Sequence, residues 1–327
     1  MNSVTESAEI RPKIAKKIEF LRSNIKQVLI GQDEVIDQVL VALLCRGHVL
    51  LEGLPGLGKT LLVKALATCF DGQFKRIQFT PDLMPADMTG HAIYDMQKGK
   101  FNIRKGPIFT NLLLADEINR SPAKTQAALL EVMQEKQVTI EGKRYPISPP
   151  FMVLATQNPI EQEGTYPLPE AELDRFLLKV FIHYPDIEDE KALVKSVTSG
   201  ALSMEAVEDK VSEPLNPEDI LQLQNATESV SVDDQVLDYA VKLVTATRQT
   251  SSIIKGAGPR ASIGIVSAAK AWALMNNRNF VLPDDIKLVA CPVMRHRILL
   301  SPESEIEGFT PDQILQQIIQ SVPAPRD

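Results

Sequence analysis

The sequence contains little cysteine and no excess of positive charge. Its 327 residues include only three cysteines, Cys45, Cys69 and Cys291, and their number and spacing fit neither a disulfide framework nor a zinc site. We expect them to be buried thiols in a reducing compartment. Lysine and arginine total 35 against 42 aspartate and glutamate residues, a formal net charge of −7. This balance argues against indiscriminate binding of nucleic-acid backbones by the whole surface.

The sequence also lacks long apolar runs and a metal-binding pattern of histidines. No stretch approaches the roughly 18 apolar residues of a membrane span, and residues 1–9 do not have the character of a secretory signal. We therefore expect a cytoplasmic protein. The composition, 44% hydrophobic and 24% charged, is that of an ordinary globular protein, and the length predicts about two domains. We assign no catalytic role to the scattered histidines, His48, His91, His183 and His296.

A glycine-rich segment at residues 53–60, Gly-Leu-Pro-Gly-Leu-Gly-Lys-Thr, lies between an apolar strand pattern at 48–52 and a helical pattern at 61–68. This order is typical of a phosphate loop, in which backbone N–H groups and a helix N-terminus hold phosphate oxygens. Lys59 can reach the outer phosphates, and the Thr60 hydroxyl can bind Mg²⁺. The alternative is a plain tight turn, which does not require the strand, the Lys-Thr pair and the helix together. The sequence thus predicts a nucleoside triphosphate site that includes Pro55, Gly56, Leu57, Gly58, Lys59, Thr60 and Leu61.

Short strand-like runs alternate with helical or looped segments after this loop. They lie at residues 76–80, 111–115, 151–156 and 177–182. The alternation predicts an α/β fold with a largely parallel sheet flanked by helices. Helical patterns at 14–29 and 33–44 precede the loop. Glycines between β-forming residues predict two hairpins, one at 93–103 around Lys98-Gly99-Lys100 and one at 138–147 around Glu141-Gly142-Lys143.

Helical patterns replace the strand patterns after residue 184. We therefore predict a nucleotide-binding α/β core domain at 1–184 and a smaller, all-helical lid domain at 185–327. Residues 200–218 are rich in charge and contain Pro214 and Pro217, so we expect a loop or a small insertion there. The predicted lid helices lie at 186–199, 232–249 and 260–275, with further helix starts at 283–285 and 310–312.

Two adjacent carboxylates end the apolar run Leu-Leu-Leu-Ala-Asp116-Glu117. After a phosphate loop in an α/β pattern, Asp116 is placed to hold Mg²⁺ through its water shell. Glu117 is placed to orient and deprotonate the water that attacks the γ-phosphate. The alternative, two ordinary strand-end acids that face solvent, would suit such a pair on its own. Their order after the phosphate loop favours the catalytic interpretation.

Three polar residues further along the chain are candidates for the same chemistry. Asn158, in Thr-Gln-Asn-Pro, can bond the γ-phosphate or the attacking water, and the alternative is a plain turn. Arg175 precedes the last strand, where it can project towards a neighbouring subunit's nucleotide; the alternative is an ion pair with Asp174 or Glu172. Arg260, in Gly-Pro-Arg-Ala, begins a lid helix, where the helix dipole disfavours a cation. A nearby nucleotide phosphate or a carboxylate would reverse that cost.

These motifs occur in one order along nearly the whole chain, and together they resemble the MoxR family of AAA+ ATPases, which is related to the magnesium chelatase ATPase subunit. The most specific segments are 115–120 (Ala-Asp-Glu-Ile-Asn-Arg), 164–171 (Gly-Thr-Tyr-Pro-Leu-Pro-Glu-Ala) and 173–176 (Leu-Asp-Arg-Phe). The resemblance implies a P-loop NTPase core with a helical lid, ATP and Mg²⁺ as cofactors, and a ring, usually hexameric, with ATP between subunits.

The resemblance also implies roles for single residues. Asn158 looks like sensor 1, Arg175 like the arginine finger that acts on the adjacent subunit, and Arg260 like sensor 2. Whether Arg260 acts on its own subunit's nucleotide or on a neighbour's stays open, because related proteins can reposition the lid. Ile30 and Gly31 fall where such proteins pass the adenine. The two predicted hairpins look like the helix 2 insertion and the pre-sensor 1 insertion of magnesium chelatases and replicative helicases.

The family resemblance suggests a chaperone-like motor that matures, assembles or remodels a protein client, commonly with a partner that carries a von Willebrand factor A domain. A nucleic-acid translocase is one alternative, because residues 92–106 carry one acid, Asp95, against four basic residues, Lys98, Lys100, Arg104 and Lys105. Two aromatic residues in that segment are too few for a base-stacking surface, so we favour a protein client. An ATP-sensing switch with little turnover is another alternative, and the complete set of candidate catalytic residues argues against it. The second acid and the two arginines likewise disfavour a small-molecule kinase.

Overall fold

The structure is a computed structural model that describes residues 2–54, 56–97, 99–158, 164–199 and 214–325. Parts of three sequence predictions lie outside these residues. They are the place of Pro55 in the phosphate loop, the turn residue Lys98 of the first hairpin, and most of the expected loop at 200–218.

The strands are short, and five of them form the central sheet. In chain order the strands are β1 Val49–Gly53, β2 Phe74–Gln78, β3 Gly90–Asp95, β4 Lys100–Lys105, β5 Leu112–Asp116, β6 Gln137–Ile140, β7 Lys143–Pro146, β8 Met152–Gln157, β9 Leu178–Ile182, β10 Ile253–Lys255 and β11 Leu299–Leu300. The parallel sheet has the order β2-β5-β8-β1-β9. The predicted parallel sheet is therefore confirmed, with β1 at an inner position.

The inner and edge strands of this sheet differ in sequence. All of β5 is buried, and β8 is buried except for its last residue. Uninterrupted apolar runs suit parallel strands that are covered on both faces. The edge strand β2 instead carries Lys75 and Arg76, and charge on an edge discourages pairing with other chains. The carboxylates at the end of β5 consequently lie inside the sheet and not at its margin.

Both predicted hairpins are present. β3 pairs antiparallel with β4 from Gly90 opposite Lys105 to Asp95 opposite Lys100, a longer hairpin than the predicted 93–103. β6 pairs antiparallel with β7. The turn of this second hairpin has positive φ at Glu141 (48°) and Gly142 (73°), which a glycine adopts without strain.

The helices flank the sheet and build the lid. In chain order they are α1 Asn2–Lys26, α2 Asp33–Leu44, α3 Lys59–Cys69, α4 Pro85–Thr89, α5 Ala123–Glu135, α6 Glu170–Leu173, α7 Ile187–Thr198, α8 Pro217–Glu228, α9 Asp234–Thr247, α10 Pro259–Met275, α11 Pro283–Met294, α12 Pro302–Ile306 and α13 Pro311–Ser321. Within the described residues, none of these helices combines the length and apolar character that crossing a membrane requires.

The lid differs from its prediction in two places. The prediction for 200–218 is wrong at its last two residues, because α8 already begins at Pro217. The side chain of Asn216 caps this helix by accepting from the backbone N–H of Asp219. The lid is also not exclusively helical, since β10 pairs antiparallel with β11. These two strands are three and two residues long, too short for an alternating pattern to reveal them in the sequence.

Two apolar clusters lie on opposite faces of the parallel sheet. Leu112 and Leu114 of β5 belong to one cluster, whereas Leu113 and Ala115 belong to the other, because successive side chains of a strand point to opposite faces. The first cluster also contains side chains from α1, α2, α3 and the lid helices α8 to α11. The lid therefore shares one continuous apolar cluster with a face of the sheet, and the domain boundary at 184 stays a prediction.

The three cysteines are free thiols within this fold. Cys69 is buried, and Cys45 and Cys291 are half-buried. Burial raises the pKa of Cys45 and Cys69 to about 12, and that of Cys291 to about 11. The thiols thus stay protonated at neutral pH and act as small apolar side chains.

Two buried histidines support the fold. The Nδ1 atom of His48 accepts from the backbone N–H of Val153 at 3.0 Å, so the ring proton lies on Nε2, 3.3 Å from the carbonyl oxygen of Met133. Burial lowers the pKa of His48 from 6.5 to about 4; the bond to Met133 opposes this shift and the charge of Lys136 adds to it. Burial likewise holds the pKa of His296 well below its usual value. Both rings are therefore neutral.

We expect the protein to lose stability as the pH falls from 6.5 to about 4, the window between the unfolded and folded pKa of His48. In this window the unfolded chain binds the proton more readily than the folded protein does, so the free energy of unfolding decreases with falling pH. His48 can contribute at most about 3 kcal/mol to this loss. Denaturant unfolding at several pH values measures the slope, and His48→Gln should make it shallower. Equal slopes for the two proteins would contradict the assignment.

Candidate functional site

The predicted phosphate loop joins the end of β1 to the first turn of α3. Gly58 is the N-cap of α3 and has φ 81°, and Gly56 has φ 83°; both are left-handed conformations that favour glycine. A Cβ atom at Gly56 would meet nothing within 4 Å. Within the described residues, no side chain caps α3 and its first turn holds no acid. A helix N-terminus without an acidic cap favours an anion.

Side chains on both sides of the loop hold it in place. The Nζ atom of Lys59 donates to the carbonyl oxygen of Gly53 at 2.7 Å, across the loop. Leu57 and Leu61 pack against the apolar cluster that covers one face of the sheet. Thr60, the second residue of α3, is half-buried. The loop thus presents one lysine, one hydroxyl and a helix N-terminus beside a packed apolar cluster.

The segment with Ile30 and Gly31 lies beside this loop. Leu29 approaches within 3.0 Å of the position that a Cβ atom would take at Gly58. Gly31 has φ 74°, and a Cβ atom there would lie 2.7 Å from Oδ2 of Asp189 in α7. The side-chain amide of Gln32 donates to the carbonyl oxygen of His183 at 2.7 Å. The entry to α2, the phosphate loop and the connection to the lid therefore meet in one place, and the adenine contact of Ile30 and Gly31 stays a prediction.

Asp116 ends β5 and is nearly buried, with 8% of its surface exposed. Its Oδ1 atom accepts from the Thr156 hydroxyl at 2.6 Å. Its Oδ2 atom accepts from both Nη2 (2.6 Å) and Nε (3.1 Å) of Arg76. Residues of the two neighbouring strands therefore orient both oxygens of this carboxylate. The positively charged group that contacts Oδ2 is the guanidinium of Arg76.

Glu117 follows Asp116 with φ 56°, a left-handed backbone that is uncommon for glutamate. Its backbone N–H donates to the Thr156 hydroxyl at 2.8 Å. Its Oε2 atom accepts from the Gln78 amide at 2.6 Å and from Nη1 of Arg120 at 3.1 Å. Such strain persists only when surrounding contacts hold it, and it clusters at functional sites. Here the bonds from Gln78 and Arg120 hold the Glu117 carboxylate.

The sequence reasoning missed four residues that hold these two acids: Arg76, Gln78, Arg120 and Thr156. Gln78 lies directly opposite Asp116 in the register of β2 with β5. Thr156 belongs to β8, the other neighbour of β5. Polar residues at the carboxyl ends of several apolar strands were a usable signal, because these ends meet at one edge of a parallel sheet. The signal does not say which strands are neighbours.

Asn158 is buried and follows β8 directly. β8 lies between β5 and β1 in the sheet, with Gln157 opposite Glu52. Asn158 is thus placed between the two acids of β5 and the start of the phosphate loop. The structure brings together the predicted residues of this end of the sheet.

Arg175 and Arg260 lie elsewhere, at the amino end of β9. A crevice of about 310 Å³ is lined by both arginines and by Asp174. Nη1 of Arg175 donates to the carbonyl oxygen of Leu130 at 2.8 Å, and its Nε atom is buried without an acceptor among the described residues. The predicted alternative for Arg175, an ion pair with Asp174 or Glu172, is not formed in the described part of the chain. Asp174 pairs instead with Arg297 at 2.7 Å and with Arg260 at 3.4 Å.

The residues at the carboxyl end of the sheet fit a nucleotide with a bound cation better than a closed metal site. Among the described residues, no group of three or more histidine, cysteine, aspartate or glutamate side chains could hold a metal ion alone. Thr60 and Asp116 are two oxygen donors, and Mg²⁺ is commonly held by one or two protein oxygens together with phosphates and water. The donor set therefore suits Mg²⁺ that arrives with a nucleotide.

Comparisons with known proteins agree with this geometry. The ATPase family associated with various cellular activities (AAA) matches residues 48–178, and the AAA lid domain matches residues 245–318. The chain is 44% identical to the uncharacterized protein YeaC of Bacillus subtilis over 97% of this chain and 96% of that protein. It is 43% identical to Chaperone MoxR1 of Mycobacterium tuberculosis over 92% of this chain and 81% of that protein.

Two further similarities extend along the chain. Protein MoxR of Methylorubrum extorquens is 30% identical over 92% of this chain and 93% of that protein. The crystal structure of a proposed ATPase from Cytophaga hutchinsonii superimposes with a TM-score of 0.91 at 43% identity, covering 100% of both chains. The chain therefore belongs to the MoxR family of AAA+ ATPases.

Proposed function

We propose that this protein hydrolyses ATP at a site shared between two copies of the chain in a ring, and that it uses the hydrolysis to remodel a protein client. The observation that carries the proposal is the separation of Arg175 from the phosphate loop. β1 and β9 run parallel, with Val49 opposite Leu178 and Gly53 opposite Ile182. The loop begins at Gly53, at the carboxyl end of β1. Arg175 lies just before Leu178, at the amino end of β9. Four residue steps along a strand span about 13 Å, more than an arginine side chain can bridge.

The nucleotide half of the proposed site lies at the carboxyl end of the sheet. Gly56, Gly58 and the first turn of α3 offer backbone N–H groups to phosphate oxygens, and Lys59 adds a positive charge. Leu57 and Leu61 hold the loop against the apolar cluster. Ile30 and Gly31, beside the loop, border the adenine. Pro55 belongs to the same loop by sequence and lies outside the described residues.

The acids would act next to the γ-phosphate. Thr60 and Asp116 would hold Mg²⁺, which when bound neutralises charge on the phosphates. Glu117 accepts a proton from the attacking water, and Gln78 and Arg120 keep its carboxylate in place. Asn158, buried between the acids and the loop, orients the water or the γ-phosphate.

Arg175 and Arg260 form the other half of the proposed site. Because they line one crevice at the end of the sheet opposite to the phosphate loop, both would act on the nucleotide of the same neighbouring subunit. The sequence left open whether Arg260 acts on the nucleotide of its own subunit or of a neighbour. Its position beside Arg175 favours the neighbour's nucleotide. A head-to-tail contact of this kind gives a ring when its rotation closes, and the family resemblance suggests a hexamer.

A protein client fits the first hairpin better than a nucleic acid does. Its exposed side chains include Met96 (89% exposed), Phe101 (70%) and Tyr94 (52%), an adaptable apolar set of the kind that binds other proteins. The rings of Tyr94 and Phe101 pack against each other with centroids 5.1 Å apart, so they do not form an open stack for bases. A relative named as a chaperone supports the same choice. A partner with a von Willebrand factor A domain and a cytoplasmic location are further parts of this proposal.

Mixed assemblies test the shared site. We expect Glu117→Gln and Arg175→Ala to be inactive separately and to regain activity when mixed. In a randomly mixed ring, roughly a quarter of the interfaces join an intact Glu117 to an intact Arg175 from the neighbour. ATP turnover is measured after mixing at equal concentrations, and in the wild-type protein turnover per chain should rise with concentration.

A matched control uses Arg175→Ala mixed with the double variant Glu117→Gln/Arg175→Ala, which cannot create an intact interface. If the first mixture were as inactive as this control, the shared site would be wrong. Stimulation of turnover severalfold by duplex or single-stranded nucleic acid, and not by a protein partner, would contradict the proposed client class.

A further inference from the structure

The lid contacts the backbone on both sides of Arg175 through one buried arginine. Arg297 follows α11, and only 5% of its side-chain surface is exposed. Its Nη2 atom donates to the carbonyl oxygens of Phe176 (2.6 Å) and Asp174 (3.3 Å). Its Nη1 atom donates to the carbonyl oxygens of Leu177 (3.1 Å) and Val293. Arg297 thus holds residues 174 to 177 against the lid.

The Asp174 side chain completes this joint. Its Oδ1 atom accepts from Nε of Arg297 at 2.7 Å, and its Oδ2 atom lies 3.4 Å from Nη1 of Arg260. One carboxylate therefore joins two lid arginines, and it is adjacent in the chain to Arg175. The planar guanidinium of Arg297 can contact several acceptors in one plane, which a lysine cannot do.

A buried guanidinium is costly unless its charge and its donors are matched. Burial lowers the pKa of Arg297, and the bond to Asp174 opposes that shift. The neighbouring His296 adds no second charge, because its ring is held neutral; its Nε2 atom lies 3.0 Å from the carbonyl oxygen of Phe176. Phe176 is fully buried in the cluster on the other face of the sheet. The joint therefore links lid and sheet through charge and packing at the same residues.

We infer that Asp174 and Arg297 are positioning residues that transmit the lid's position to Arg175 and Arg260. A displacement of α11 moves Arg297, and with it the backbone that carries Arg175. The same displacement changes the carboxylate partner of Arg260, so both arginines respond together. This inference rests on the proposed shared site, because it assigns Asp174 and Arg297 to the half that acts on a neighbouring subunit.

Mixed assemblies of the full-length protein can assign Asp174 to one half of the site. We expect Asp174→Asn to lower ATP turnover about 10- to 100-fold, the size of effect that a small misplacement of catalytic groups produces. Its own nucleotide affinity, measured by equilibrium binding of a fluorescent ATP analogue, should be unchanged. Mixing it with Glu117→Gln should restore turnover, whereas mixing it with Arg175→Ala should not. Arg297→Lys keeps the positive charge and loses the planar set of donors, so it should behave in the same way.

The matched control is Asp219→Asn. Asp219 of α8 forms an ion pair with Lys17 of α1 at 2.6 Å, and neither helix carries a residue of the joint. We expect this variant to lose stability and to keep its turnover per assembled ring. If Asp219→Asn lost turnover like Asp174→Asn, or if Asp174→Asn were fully active or not restored by Glu117→Gln, the inference would be overturned while restoration between Glu117→Gln and Arg175→Ala still supported the shared site. Failure of that last pair would overturn the shared site and the inference together.

Discussion

Arg175→Ala is expected to lower ATP turnover about 1,000-fold, the size of effect that a supplied arginine has on phosphoryl transfer. In the proposed shared site the guanidinium stabilises charge that develops on the γ-phosphate in the transition state, and the substitution removes it. Because Arg175 lies at the far end of the sheet from its own phosphate loop, the variant should bind ATP as the wild type does. Steady-state turnover and equilibrium nucleotide binding, measured on the same preparation, separate the two effects.

Two further variants sharpen this result. Arg175→Lys keeps the charge without the planar fork, so its turnover should lie between those of Arg175→Ala and the wild type. Arg144→Ala removes an exposed arginine of β7 and should leave basal turnover unchanged. Loss of ATP affinity by dissociated Arg175→Ala subunits, which have no neighbour, would place this residue at its own subunit's nucleotide and contradict the shared site.

Glu117→Gln should reduce turnover by about 100-fold or more, because a positioned general base contributes at least this factor. Glutamine has nearly the same shape, and its side-chain oxygen can still accept from Gln78 and Arg120, which bond Oε2 of Glu117. ATP should therefore still bind, and the assembly should accumulate in the ATP-bound form. Single-turnover hydrolysis measured beside nucleotide binding distinguishes a lost base from a lost site.

Glu307→Gln is the matched control, since Glu307 is an exposed glutamate of the lid and the substitution makes the same chemical change. It should keep full turnover. If Glu117→Gln kept its turnover, a group other than Glu117 would accept the proton from the attacking water. The ATP-bound form of Glu117→Gln also offers a way to capture the client from cells, and recovery of nucleic acid alone would oppose a protein client.

Much of the fold was predictable because its signals are local. The phosphate loop, the hairpin glycines and the start of α13 at Thr310-Pro311 each depend on a few adjacent residues. The parallel sheet followed from apolar runs that alternate with helices. α8 was missed although Asn216, Pro217 and Asp219 form a capping box, because charge and two prolines suggested a loop. Local signals conflicted there, and packing of Ile220 and Leu223 into the core decided the outcome.

The site was predictable only where its residues lie in motifs. Asp116, Glu117 and Asn158 end strands that the sequence identified. Arg76, Gln78 and Thr156 were not identified, because strand order in the sheet differs from strand order in the chain. A residue of β2 contacts a carboxylate about 40 positions later only after both strands have been placed side by side. No local pattern records that neighbourhood.

The amino-acid sequence by itself determined the motifs of this protein: a phosphate loop, two acids after an apolar strand, and the family to which their order points. The tertiary structure decided where these motifs and the two candidate arginines lie relative to one another. Parallel strands put the phosphate loop and the acids at one end of the sheet, and Arg175 and Arg260 at the other. The two groups stay apart within one subunit because an arginine side chain is shorter than the strand that separates them. Contacts such as those of Arg297 with residues 174 to 177 join segments more than 110 positions apart, and folding alone brings them together.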